Sequence, residues 1–244
     1  MSPEQLLVTV GVGLAAFAAS TIAAVAGFGG AVIMLPVLVW GFGVRDAIPI
    51  LTVAQLIGNL SRVWFNRREL SLLVVKWFAL GGVPAAVLGG IVFATAPAGA
   101  LVRLLGVFLL AVVVYRHTPW GKRARLTLRG FLPLGAISGF LSALLGSIGP
   151  FMAPFFLAYG LAKGAYIGTE ALSTVVMHVT KLGVYGKYSL LGVRGVLIGV
   201  AIGGVMFLGS YAGKRLLDKV PERMFPMIIE GVLVIAGVTF LVGG

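Results

Sequence analysis

The sequence predicts an all-α polytopic membrane protein built from two homologous five-segment repeats in inverted topology, each with a broken short helix. Three observations lead there. Hydrophobic residues make up 59% of the 244 and charged residues only 11%, under half the charged share of an ordinary soluble domain. Apolar runs near or above bilayer length recur at 6–26, 72–94, 190–210 and 224–243, with slightly shorter ones between them. Landmark residues of the first half return about 118 positions later in the second.

The first run, 6–26, has no basic region ahead of it and leads into further apolar segments, so a helix of the mature chain is expected rather than a cleaved signal. It stops at Ala26-Gly27-Phe28-Gly29-Gly30-Ala31, where glycines permit a sharp turn and close approach of backbone to a ligand. Residues 31–44 follow as a short segment; fourteen helical residues span about 21 Å, less than the ~30 Å hydrocarbon core. Either irregular backbone completes it or it lies in a thin place, and irregular backbone survives in a membrane only where protein or a water-filled cavity satisfies it. The next helix carries Thr52, Gln55, Asn59, Ser61 and Arg62, and a basic pair, Arg67 and Arg68, lies before the run at 72–94. An uncharged turn at 95–98 and a helix over 99–115 complete the first repeat, 1–115.

Residues 116–129 form a basic linker with Arg116, Lys122, Arg123, Arg125 and Arg129, expected on the cytoplasmic side. The second repeat, 130–244, reaches its own break at Gly146-Ser147-Ile148-Gly149-Pro150, then a short segment over 150–163 and a polar helix with Thr169, Glu170, Ser173, Thr174, His178, Thr180 and Lys181. At a spacing of 118, Pro36 meets Pro154, Arg45 meets Lys163, Ala47 meets Ala165, Gly81 meets Gly199, and Ser71-Leu72-Leu73 meets Ser189-Leu190-Leu191. A one-residue slip sets Gly27 and Gly30 against Gly146 and Gly149, and a longer insertion sets Pro97 against Pro221. No hydrophilic segment is long enough to fold separately, so 1–244 reads as one membrane domain.

If the short segments cross, each half has five segments and the halves are inverted. If they re-enter, eight spanning helices and two re-entrant segments result, with the halves parallel. Crossing puts Arg67 and Arg68, the linker, and Lys214, Arg215, Lys219 and Arg223 on one side with both termini outside, in keeping with the positive-inside rule. Inverted repeats with broken helices meeting near the midplane are the usual build of a secondary transporter.

Polar side chains at these depths are expensive against lipid and should face the interior. Amides at Gly29, Gly30, Ser147 and Gly149 are candidate anion donors, because exposed N–H groups at a helix start favour negative charge. Thr52, Gln55, Asn59, Ser173 and His178 are expected to complete a lining. Glu170 and His178 are the candidate proton carriers, and Arg62 and Lys181 are secondary anion contacts that, near helix ends, could equally snorkel. Arg103 and Glu230 sit within final helices of the two halves, where an ion pair is conceivable.

Cysteine is absent, which excludes disulfides and thiolate chemistry. Two histidines, His117 and His178, are too few for a histidine-rich metal site, and no phosphate-binding loop or metalloprotease spacing occurs. No cofactor, metal or enzymatic activity is expected. The net charge of +12 reads mainly as membrane anchoring and secondarily as attraction for an anion; nucleic acid is not an expected partner, since no long basic domain is present. The expected surroundings are membrane lipid, and small-residue helix faces allow a homodimer without marking its interface.

The chain resembles the sulfite exporter TauE/SafE family, also called the toluene sulfonate uptake permease family. The resemblance rests on Gly27-Phe28-Gly29-Gly30 leading to Pro36, on Gly139-Phe140-Leu141-Ser142 through Gly146, Gly149 and Pro154, and on the steps Arg45-Asp46-Ala47 and Lys163-Gly164-Ala165. It covers nearly the whole length. It implies a secondary carrier of small sulfur-containing anions, such as sulfite or organosulfonates, in a bacterial or archaeal cytoplasmic (inner) membrane. The family pattern usually has three consecutive glycines per repeat, whereas Gly29-Gly30-Ala31 and Ser147-Ile148-Gly149-Pro150 stand here. A passive anion channel and a noncatalytic membrane scaffold are the rival expectations.

Overall fold

A computed structural model describes residues 3–26, 30–118, 126–146 and 148–216, together with positions 234, 238, 241 and 242. Gly27, Gly29, Ser147, Lys122, Arg123, Arg125, Lys219, Pro221, Arg223 and Glu230, and nearly all of the run at 224–243, lie outside the described residues. Every described element is helical. In chain order these are α1 (Pro3–Ala26), α2 (Gly30–Phe65), α3 (Leu72–Thr95), α4 (Ala98–His117), a single 3-10 turn at Leu128–Gly130, α5 (Phe131–Leu145), α6 (Gly149–Ala158), α7 (Lys163–Lys187) and α8 (Val193–Leu216).

Among the described residues four stretches, Gly30–Phe65, Leu72–Thr95, Leu128–Leu145 and Val193–Arg215, are long and apolar enough to cross a membrane, and Val10–Val25 and Ala98–Ala111 are shorter apolar helices. The chain is therefore a multi-pass membrane protein. Helix α7, with 25 residues, is as long as α3 and α8, but its polar side chains lower its apolar character and are mostly buried by its neighbours.

Helix α2 is two arms. Gly43 takes φ 73°, ψ 160°, a backbone state that a side chain resists, and the helix folds back there. Gly30, at the start of the first arm, and Gly58, in the second, both lie against Met206, so the arms run antiparallel with Gly43 at the tip. Arg45, just past the tip, donates to the carbonyls of Ala94 and Ala96 at the end of α3. In the second half the equivalent bend spans Tyr159–Ala162, with Gly160 at φ 100°.

Glycine seams hold the helices together. A side chain on Gly81 would collide with the Leu132 carbonyl, one on Gly135 with the Phe78 carbonyl, and one on Gly89 with the Phe140 carbonyl. From Gly81 on Leu132, through Gly82 against Gly135 and Gly139, to Gly89 on Phe140 the contacts rise along both helices, so α3 and α5 run parallel at backbone contact, the small-residue packing that membrane helices favour. Helix α8 meets α1 in the same way: Gly209 lies on Phe17 and Ser20, and Gly213 on Thr21 and Ala24. On its other side, α8 sets Gly199 against Ile50 and Val53 and Gly203 against Ile57 of α2. Helix α3 likewise places Gly90 on Val184 of α7.

Each half thus lends the helix that follows its polar helix to the partner half: α8 packs on α1 and α2, while α3 packs on α5 and α7, and α2 and α7 meet between them. The apolar core follows the same division. One cluster centres on α1, α2, α4 and the end of α5, including Leu35, Leu51, Phe93 and Leu105. The other joins Met152 to Phe78, Phe131 and Phe156, and the Phe156 ring meets those of Phe131 edge to face and Phe78 tilted. Lys214 donates to Asn66 Oδ1 at 2.7 Å, which brings Lys214 and Arg215 to the end of the bundle where Arg67 and Arg68 lie.

Candidate functional site

Helices α2 and α7 face one another with polar stripes. Gln55, Asn59 and Arg62 follow each other at one-turn spacing on the second arm of α2, as do Glu170, Thr174 and His178 on α7. Arg62 Nη1 lies 3.5 Å from Glu170 Oε2, both side chains being less than a tenth exposed. The guanidinium also donates to Asn59 Oδ1 and, at 3.5 Å, to the Ala23 carbonyl of α1. Thr174 Oγ1 donates to the other Glu170 oxygen at 3.3 Å. Helices of both halves therefore converge on one buried charge pair.

A cavity of about 30 Å³ opens beside that pair, lined by Gly30 and Ala31, by Gln55, Asn59 and Arg62, by Ser142, Gly146, Ile148, Gly149 and Met152, and by Glu170, Thr174, Met177 and His178. It joins the two breaks, since Gly30 begins α2 and Gly149 begins α6 with Ile148 as its N-cap. At Gly146 the backbone reaches φ 77° and turns the chain out of α5. The first amides of a helix have no partner within it, so such starts leave donors for an anion. Among the buried side-chain atoms of the described residues, Ser138 Oγ and Tyr166 Oη lack a hydrogen-bond partner away from the cavity, and Gln55 Nε2 and His178 Nδ1 lack one in its lining, where Glu170 Oε2 has its ion pair with Arg62 and no hydrogen bond. Unpaired buried polar atoms are costly, and their meeting in one cavity marks a place where a polar guest would satisfy them.

Of the residues expected from sequence, Gly30, Gln55, Asn59, Arg62, Gly149, Glu170 and His178 come together here. Thr52 and Ser173 do not line the cavity: each hydroxyl bonds back to the carbonyl four residues earlier, Ile48 and Thr169 respectively. Small hydroxyl side chains on helices often do this. Lys181 lies one step behind the wall, its Nζ 2.9 Å from Ser142 Oγ and 3.3 Å from the Ser142 carbonyl. Gly29 and Ser147 lie outside the described residues.

Sequence reasoning missed Ser142 as a site residue. Its signal was its place one turn before the Gly146 break, inside the run Gly139-Phe140-Leu141-Ser142. Met152 and Met177 complete the lining and have no polar signature to find them by.

A multi-pass helical chain with a polar, charged cavity between two helix breaks has the build of a membrane transport protein. More particularly, the chain belongs to the sulfite exporter TauE/SafE family, whose family model matches residues 12–240. No curated protein and no solved structure shows a significant match to it.

Proposed function

We propose that the protein is a secondary carrier of small sulfur-containing anions, such as sulfite or organosulfonates, that works by alternating access around the cavity between α2 and α7. The observation that carries this reading is the meeting of an arginine, two unpaired nitrogens, Gln55 Nε2 and His178 Nδ1, and two helix starts in one small space. Arg62 supplies charge and a planar donor set suited to an oxyanion. Gly30, Gln55, Asn59, Gly149 and His178 complete the contacts, with Gly29 and Ser147 assigned to the same breaks. A space of 30 Å³ admits a water-sized guest, so a sulfonate enters only when the walls part.

The two halves, 1–115 and 130–244 around the linker 116–129, act in this scheme as inverted repeats in the cytoplasmic membrane of a bacterium or archaeon. Support comes from the exchanged pairing of α3 and α8 and from the gathering of Arg67, Arg68, Lys214 and Arg215 at one end. Glu170 and His178 are assigned to proton coupling. An arriving anion competes with Glu170 for Arg62, and a displaced carboxylate in a buried site is stabilised by taking a proton. Export needs no such step, because moving one charge through 100 mV is worth about 2.3 kcal/mol.

Purified protein in liposomes tests this. Sulfite inside should accelerate entry of labelled sulfite, as counterflow requires of a carrier and a passive channel does not provide. Arg62→Lys and Gln55→Leu should each reduce that exchange at least tenfold. Sulfite-dependent acidification should vanish in Glu170→Gln with His178→Ala; unchanged proton movement in that double variant would remove both from the coupling scheme.

A further inference from the structure

We propose that Ser142 is an anion-contacting residue and that Lys181 is a positioning residue that turns the Ser142 hydroxyl proton toward the cavity. The inference rests on the cavity being an anion site, and adds to it a donor and the device that aims it. Ser142 lines the cavity and is 1% exposed. Lys181, on α7, is wholly buried, and its Nζ reaches Ser142 Oγ at 2.9 Å and the Ser142 carbonyl at 3.3 Å. An ammonium has donors and no acceptor, so both Ser142 oxygens accept from it. The last turn of α5 holds that cation well, because helix carbonyl ends carry partial negative charge.

A hydroxyl oxygen that accepts from lysine still has its own proton to give. Serines on helices commonly spend that proton on the carbonyl four residues back, as Ser173 does. Among the described residues the Ser142 hydroxyl donates to no acceptor, the Ser138 carbonyl four residues back included, while its own carbonyl accepts from Lys181 and from the Gly146 amide at 2.9 Å. The proton is left for an acceptor in the cavity. A guest with bare oxygens, a sulfite or a sulfonate, fits that demand.

Calorimetric titration of the full-length protein in nanodiscs with sulfite and with methanesulfonate tests the assignment. Ser142→Ala should weaken both about tenfold, the loss expected for a hydrogen bond to a charged group, and Ser142→Thr should stay within about threefold. Lys181→Met should weaken binding as much as Ser142→Ala, and the two together no more than either alone, because they remove one contact. Additive losses, or a normal affinity in Lys181→Met, overturn the positioning role. Should Lys181→Met fail to fold, Lys181→Gln takes its place, and a tenfold loss despite its remaining donor overturns the role. Unchanged binding in Ser142→Ala, with binding lost in Arg62→Lys, overturns this inference alone. Absence of binding by the unsubstituted protein overturns both it and the anion-site reading.

Discussion

The two halves carry matching breaks and each buries a cation on its polar helix, yet they use them differently. In the first half Arg62 reaches across to Glu170 of the second and stands in the cavity wall. In the second half Lys181 turns back into its own half and is satisfied by Ser142. The register differs as well. At a spacing of 118, Glu170 corresponds to Thr52 and Gln55 to Ser173, but Thr52 and Ser173 bond to their own backbone while Glu170 and Gln55 line the cavity. The recurring landmarks give the two halves corresponding positions in sequence, and tertiary contacts decide which of each pair faces the site.

The seams, by contrast, are alike, and the largest predicted effect tests that likeness. Gly135→Val in the α3–α5 seam and Gly209→Val in the α1–α8 seam each drive a side chain into neighbouring backbone. Both should cost more than about 4 kcal/mol and abolish recovery of folded protein, read by fluorescence-detected size exclusion. Survival of one variant would mean that the seams are not equivalent.

Next in size is the difference between the two cations. Arg62→Met strands the Glu170 carboxylate and should cost about 3–5 kcal/mol in thermal unfolding in detergent, most of it recovered in the double variant Arg62→Met with Glu170→Met. Lys181→Met strands only the neutral Ser142 groups and should cost about 1–2 kcal/mol. Equal costs would break the distinction between a cation paired across the halves and one held within its own.

A smaller effect separates the hinges. Arg45 ties the Gly43 tip to the end of α3, so Arg45→Ala should lose about 1 kcal/mol. Its counterpart Lys163 sits at φ 46°, where a side chain is strained, so Lys163→Gly should gain roughly 0.5–1 kcal/mol. Opposite signs at matched positions, in the same unfolding measurement, would show that the hinges have diverged. Smallest is Thr169→Val, which removes the acceptor of the Ser71 amide at 3.0 Å and should cost about 1 kcal/mol or less at this half-buried contact.

Much of the frame was legible in the sequence. The run read at 6–26 is α1 to Ala26, that at 72–94 is α3, and the one at 190–210 is α8, displaced by a few residues. The glycine-rich breaks before residues 31 and 150 stand where α2 and α6 begin. Gly43 and Gly160, which end the short helices, were not singled out, because an isolated glycine in an apolar run reads equally as packing or as a bend until its φ is known. The polar helix positions were found by type, but only about half of their roles, since a hydroxyl that serves its own backbone and one that serves a cavity look the same in a sequence.

The sequence by itself determined the membrane habitat, the helical class and the places where helices must break, because bilayer thickness and the cost of unpaired backbone act on composition and local chain length. Only the tertiary structure decided that Arg62 meets Glu170, that Lys181 is spent on Ser142, and that Gln55 and His178 keep unpaired atoms at the cavity. Those outcomes depend on which helix faces another across tens of residues of chain, as for Lys181 and Ser142, or more than a hundred, as for Arg62 and Glu170. Local pattern carries no record of that distance; glycine seams that let backbones touch settle it.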